Sequence, residues 1–262
     1  MRADKFFAEK FGSRTKAAEA IDKGLVLVNG KMIKAKVEIK ETDEISFIEA
    51  QESFVSNGGY KLDRAIKTFE FDCKNKVFAD IGASTGGFTD CLLQYGALKV
   101  YAIDVGESLL HESLLNKNVV RMENTNARYL TKSDFSERID GVVTDVSFIS
   151  LRLIFPAIAQ ILDENGDAFV LIKPQFECEN KNIGKSGIVH SSAHGDIVEK
   201  VLSYAEENAL YPFGIVNAPV RKNKNIEYVL HIKKQKIGRK SIKQIVEEVK
   251  NFVKSNTRKE LF

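Results

Sequence analysis

From Val77 onward the chain alternates short, nearly continuous apolar runs with amphipathic stretches, and few architectures accept that pattern. The runs are "KVFADIG", "KVYAIDVG", "IDGVVTDVS" and "GDAFVLIKP", with a later "IEYVLHIKK". Such runs suit strands of a parallel sheet covered by helices on both faces. Helical periodicity intervenes at "GGFTDCLLQYG", "LRLIFPAIAQILDENG" and "HGDIVEKVLSYAEENAL". The alternation predicts a doubly wound α/β domain whose ligand lies at the carboxyl ends of the strands. A hydrophobic content of 44% over 262 residues can fill such a core and a small companion.

The companion is expected at residues 1–50. "ADKFFAEKFG" reads as a short amphipathic helix stopped by Gly12, and Ser13 caps a second one, "RTKAAEAIDK", stopped by Gly24. "LVLVNGKMI" alternates around Asn29-Gly30, a strong hairpin-turn signal, and "DEISFIE" supplies another strand. The result is a small α+β module. Residues 51–61 read as a linker broken by Gly58-Gly59, with helical periodicity resuming at Lys61. The large domain then spans 62–234, and 235–262 form a basic helix and tail.

Charge is unevenly spread. The net value is +3, yet residues 1–40 carry ten Lys or Arg against five Asp or Glu, and the segment after Lys233 is again Lys-rich. Basic ends fit a polyanionic partner. No apolar run reaches the roughly 18 to 20 residues needed to span a bilayer, and the first residues are charged where a signal peptide needs an apolar centre. A cytoplasmic protein without stable membrane association is expected. Three widely spaced cysteines and four scattered histidines offer no metal-site spacing, so no metal and free thiols are expected.

In "DIGASTGG" the glycines fall at 82, 86 and 87. A dinucleotide fingerprint needs a glycine where Ser84 stands, and a phosphate loop needs Lys-Ser/Thr where Phe88 follows Gly87. The turn therefore suits a ligand with adenosine but no phosphate, and S-adenosylmethionine is the common one. Asp104, ending the next strand before Val105, can accept hydrogen bonds from both ribose hydroxyls. "TNAR", with Asn126 and Ala127, is expected near the adenine. Two further strand ends bring ionisable groups to the same rim: Asp145 in "TDVSFIS" and Lys173 in "IKPQFE". A lysine beside an aspartate there can bind a hydroxyl and ease its deprotonation.

The glycine turn, "DVSFISL", "IKPQFE", "GKSGIVH" and "NIEYVLH" together resemble the TlyA family of ribosomal RNA methyltransferases, which is similar to the FtsJ-type RNA 2′-O-methyltransferases. The first module, with "SRTKAAEAIDKGLVLVNGK", resembles an S4-type RNA-binding domain. The resemblance covers nearly all the chain and implies a Rossmann-like S-adenosylmethionine-dependent methyltransferase domain behind a small α+β S4-type domain. It implies a Lys-Asp-Lys-Glu tetrad at Lys61, Asp145, Lys173 and Glu227, in which Lys173 activates a ribose 2′-hydroxyl, Asp145 holds that lysine, and Lys61 and Glu227 orient lysine and ribose. Many relatives read "GNxE" where this chain has "KNKNIE", so the glycine is missing before Glu227. Expected cofactor contacts are Gly82, Ser84, Gly86, Gly87, Phe88, Asp104, Val105, Asn126, Ala127 and Asp145. Expected RNA contacts are Arg2, Lys5, Arg14, Lys16, Lys31, Lys34 and Lys36. The implied substrate is cytidine in ribosomal RNA or ribosomal subunits, the large subunit and in some members the small one. The alternatives are a catalytically silent RNA-binding protein, a membrane-active haemolysin, and methylation of a base or a protein.

Overall fold

The computed structural model describes residues 1–22, 24–47, 54–115, 117–184, 186–221 and 223–259. They fall into two compact units, Met1–Ser53 and Phe54–Phe262.

In the first unit, helices α1 (Ala3–Phe6) and α2 (Arg14–Asp22) accompany strands β1 (Val26–Val28), β2 (Lys31–Met32) and β3 (Ile45–Phe47), in the order β2-β1-β3. Asn29 and Gly30 both have positive φ, 53° and 72°, the backbone that lets a two-residue turn follow the strand twist. Ala3, Phe7, Ala17, Ile21, Val26, Val28 and Ile39 form the core. The end of the expected third strand, Ile48 and Glu49, lies outside the described residues, as do 51–53 of the expected linker and 260–262 of the tail.

The second unit is built on a sheet ordered β6-β5-β4-β7-β8-β10-β9. Its strands are β4 (Val77–Ile81), β5 (Lys99–Ile103), β6 (Val119–Met122), β7 (Ile139–Thr144), β8 (Leu162–Ile172), β9 (Tyr211–Asn217) and β10 (Tyr228–Lys233). Strands β4 to β8 pair in parallel, and β10 runs antiparallel to both β8 and β9. The chain leaves β4 toward β5 and β6 and returns to β7 on the other side. A crevice therefore opens beyond the carboxyl end of β4, at the switch point.

A four-residue helix, α6 (Pro174–Glu177), follows β8, and helices cover both faces of the sheet. Alternate residues of β8 show it: Ala168, Val170 and Ile172 join one core with α5 (Phe155–Ile161), α7 (His194–Glu207) and α8 (Ile242–Lys259), while Phe169 and Leu171 join the other with α3 (Asn57–Phe69) and α4 (Gly87–Gln94).

Four expectations need correction. Residues 54–61 belong to the second unit, because α3 begins at Asn57, with the Ser56 hydroxyl accepting from the Gly58 amide at 3.3 Å. Gly58-Gly59 lie inside that helix, and Gly59 is glycine because of space. A Cβ on Gly59 would stand 2.2 Å from Phe54, and one on Gly87 would stand 2.2 Å from Ser56 Oγ and 3.0 Å from the Gly59 nitrogen. Residues 235–262 are no separate tail either: Ile245, Val246, Val249 and Val253 of α8, spaced three to four apart, are buried in the main core. The helix expected through Gly166 stops at Ile161, since Leu162 is fully buried and pairs with Ile139 at the start of β8. Strand β9 was not expected; Pro212 and Gly214 disguise it, and both are tolerated on an edge strand.

Candidate active site

The turn after β4 is wound on its own hydrogen bonds. The amides of Gly82 and Ala83 donate to the Ile103 carbonyl at 2.9 and 3.1 Å, and Gly86 donates to Ala83 at 2.7 Å. Ser84, at φ 48°, donates its amide to Asp104 Oδ2 at 2.9 Å, and Gly106 donates to Asp104 Oδ1 at 2.9 Å. Amides that would cradle a pyrophosphate are thus already engaged.

Beyond the turn lies a cavity of about 410 Å³. Gly82, Ser84, Asp104, Val105, Asn126, Ala127 and Asp145 line it, with Leu109, Ile149 and Ile154 supplying apolar surface. Val105 and Leu109 are exposed at its edge, where a flat apolar ring could cover them. A smaller cavity of about 180 Å³ adjoins, lined by Gly82, Ser84, Gly87, Phe88, Asp80, Asp145, Ser147 and Lys173 among others. Gly86 lines neither. It has φ 89° and faces Leu110 and Leu114, so its part is to shape the turn.

Asp145 follows β7, its amide fixed by the Ile81 carbonyl at 3.1 Å, and it borders both cavities. Its carboxylate is shared. Oδ1 stands 2.5 Å from Lys173 Nζ, and Oδ2 stands 3.2 Å from Lys61 Nζ. Lys173, 9% exposed at the end of β8, also donates to Ser147 Oγ at 2.7 Å. Lys61, one turn into α3, reaches Glu227 Oε2 at 2.8 Å, just ahead of β10. All four tetrad positions therefore converge, Glu227 included. Burial acts to lower the Lys61 pKa, but the carboxylates of Asp145 and Glu227 outweigh it and raise the value above that of a free lysine.

Asp80 sits beneath this site, fully buried, with the Thr89 hydroxyl donating to it at 2.6 Å. Burial pushes its carboxyl up to about 7, and the charges of Asp145 and Asp104 add to the rise against that hydrogen bond. Three carboxyl groups thus surround the glycine turn, a setting that favours a cationic ligand.

The loop after Asp145 is held from below. Buried Glu177 accepts from Ser150 Oγ and from the Leu151 amide, each at 2.7 Å. Above, Phe148 is 91% exposed at φ 61°, its ring 5.0 Å from that of Phe176. The described residues around "GKSGIVH" pair as in a hairpin, Ile183 bridging Val189 and the Gly184 amide donating to the Ile188 carbonyl at 2.8 Å. Asn225 fastens it: Oδ1 accepts from the Val189 amide at 2.8 Å, and Nδ2 donates to the Gly187 carbonyl at 3.0 Å. Since Asn225 lies two residues before Glu227, the hairpin braces the segment that carries the tetrad's last member.

In the first unit, Asp4 gathers two of the expected RNA contacts. Its carboxylate accepts from Arg2 at 2.9 Å and from Arg14 Nε at 3.0 Å, leaving both guanidinium groups side by side and partly exposed. Lys5, Lys16, Lys31, Lys34 and Lys36 are exposed.

Sequence reasoning missed Asp80, Ser147, Leu109, Ile149, Ile154 and Gln175. Asp80 had a signal, an acid inside an otherwise apolar run; Gln175 lies in a four-residue helix, Pro174–Glu177, too short to show a period, and the others reach the site through irregular segments that carry none.

Comparison with known proteins decides the family. The model of FtsJ-like methyltransferases matches residues 54–234, and that of the S4 domain matches residues 1–45. The chain belongs to the FtsJ-like methyltransferases. Hemolysin A of Brachyspira hyodysenteriae is 43% identical, over 84% of this chain and 93% of its own. The 16S/23S rRNA (cytidine-2′-O)-methyltransferase TlyA of Mycobacterium tuberculosis is 36% identical over 85% of each chain. A solved Streptococcus thermophilus protein that carries a hemolysin name covers 98% of each chain at 35% identity, with a TM-score of 0.70. Among the described residues of this FtsJ-like methyltransferase, no helix is long and apolar enough to cross a membrane.

Proposed function

We propose that this methyltransferase transfers a methyl group from S-adenosylmethionine to the 2′-hydroxyl of a cytidine in ribosomal RNA, the large-subunit RNA first and the small-subunit RNA as a second candidate. The observation that carries the reading is the shared carboxylate of Asp145. It borders the cavity behind the glycine turn and, at the same time, grips Lys173 and Lys61. A donor in that cavity and a sugar oxygen at Lys173 would meet across it.

The residues fit the donor. Engaged turn amides suit a ligand without phosphate, Asp104 offers remaining lone pairs to ribose hydroxyls, and the acidic surroundings suit a sulfonium. When bound there, the donor would supply an activated methyl, and the cavity lining with Asp145 and Lys173 would set that methyl in line with the sugar oxygen. Holding the reactants in line can account for roughly 7 to 11 kcal/mol of the barrier. Lys61 stays an ammonium between two carboxylates, so its part is to hold Asp145 and Glu227 in place. Lys173 is then the lysine placed to hold the ribose oxygen and exchange its proton. The exposed ring of Phe148, on the same loop as Ser147, offers a stacking face to a base beside that ribose. Arg2 and Arg14, paired on Asp4, would meet phosphates. The TlyA relative's name supports cytidine and ribosomal RNA as the substrate class.

The test is to incubate the protein and labelled donor with unmodified ribosomal RNA, subunits and assembled ribosomes, then map the label. Label on a cytidine 2′-oxygen is expected, and Lys173→Ala should lower turnover by about a hundredfold to ten-thousandfold with donor affinity little changed. Label on a nucleobase, or equal labelling by the variant, would overturn the reading.

A further inference from the structure

A second concavity of about 310 Å³ opens on the far side of Lys61, lined by Gln175, Ala218, Pro219, Arg221, Lys224, Asn225 and Glu227. Its charges are unusual for a surface hollow. The acid on its wall, Glu227, is already neutralised by Lys61 at 2.8 Å. Among the described residues, neither Arg221 nor Lys224 has an ion-pair partner, although both are exposed and lie six and three residues before Glu227. The turn that carries them is closed by the Lys224 amide donating to the Arg221 carbonyl at 3.2 Å, and Asn225 ties it to the 187–189 hairpin. The two cations are thus held on an anchored loop. They also line the neighbouring cavity of about 440 Å³, so they form a ridge between two hollows.

Gln175 completes the set. It lines the hollow, its Oε1 is buried without a hydrogen-bond partner, and its side-chain amide carries two N–H donors that an anion could accept from. A donor amide, a guanidinium and an ammonium around a neutralised carboxylate select an anion. A planar fork beside a point charge is the combination that grips phosphate.

We infer that this hollow is a binding site for a phosphodiester group of the RNA strand, next to the ribose that is methylated. The inference deepens the functional reading above and rests on it for the identity of the strand. It places RNA contact within the catalytic unit itself, where the sequence had assigned such contact to the first module. Arg221 and Lys224 hold the phosphate from the ridge, and Gln175 donates from the floor. Fixing one phosphate beside the target sugar removes a rotational freedom that would otherwise carry the 2′-oxygen off the line of attack.

The test uses the full-length protein with unmodified ribosomal RNA, reading RNA retention and methyl transfer separately as salt is varied. Arg221→Ala with Lys224→Ala should raise the KM for RNA about tenfold and flatten the slope of log affinity against log salt by roughly 0.7 to 1.4. Donor affinity should not change. Gln175→Leu should raise the KM without altering the slope. A control, Lys74→Ala with Lys132→Ala, on exposed segments leading into the amino ends of β4 and β7, opposite the site, removes the same charge and should change neither quantity. The proposal is overturned if the first pair leaves KM and slope as they were, or if the control pair flattens the slope equally. Absence of methyl transfer by the unaltered protein would overturn the functional reading instead, since retention and its salt slope still report on the hollow.

Discussion

Asp80 carries a proton in the folded chain at pH values where a solvated aspartate has lost it. Its folded pKa lies near 7 and its ordinary value near 3.8, so the folded state binds the extra proton between those limits. The contribution to stability is therefore complete below about pH 4 and is lost as pH rises to 7. Asp80→Asn should remove that slope and leave the variant the more stable protein at pH 8, by up to a few kcal/mol at about 1.4 kcal/mol per pH unit. Urea unfolding at pH 5, 7 and 8 reads this out; parallel curves for the two proteins would refute it. A cationic donor favours the ionised carboxylate, so donor affinity in the unaltered protein should climb as pH approaches 7, and calorimetry on the asparagine variant should show no climb. Much at this scale was legible beforehand. Asp104, Asp145 and Lys173 end apolar runs, and a strand end in such a sheet has one address. Ser147 and Gln175 could not be found that way, because a loop delivers the first and a single helical turn the second, and no period in the chain records where either will lie.

At the scale of elements, the braced segment before β10 offers the sharper prediction. Asn225→Ala removes two hydrogen bonds to the 187–189 hairpin and frees the segment that presents Glu227. Turnover should fall by about tenfold to a hundredfold while donor affinity holds, because a misplaced positioning group is paid for in alignment. Asn225→Asp, which keeps the acceptor for Val189, should recover part of it. Turnover unchanged in the alanine variant would mean that the hairpin braces nothing. Helix α8 makes the second case. Val249 is 1% exposed within the main core, so Val249→Ala should destabilise the large unit by about 1 to 3 kcal/mol, measured by chemical denaturation. A truly peripheral tail would show no effect. The periodic stripe of α8 was visible in sequence, but its docking site was not, since amphipathicity specifies a face and not the surface that face meets.

For the whole molecule, each unit has its own core, and the first also keeps two arginines clasped on Asp4. A chain shortened to residues 54–262 should fold cooperatively and bind the donor with near-normal affinity, while its KM for ribosomal RNA rises at least tenfold, since the charge lost is the part proposed to meet phosphate. Failure of the shortened chain to bind donor would show that the large unit is incomplete by itself. The two-part organisation was readable because basic composition and hairpin chemistry mark the first fifty residues. The boundary was misplaced by several residues, because a pair of glycines reads as a break until the neighbour that crowds the second of them is known.

Those glycines have a further consequence. With Gly59 and Gly87 pressed backbone to backbone, the arm that presents Lys61 and the cradle behind β4 stand on one shared footing. Widening the cradle to admit a bulkier sulfonium would tilt the lysine arm along with it. Redesign of this enzyme for unnatural donors should therefore start from the outer wall, at Val105 and Leu109, where enlargement moves nothing that touches the sugar.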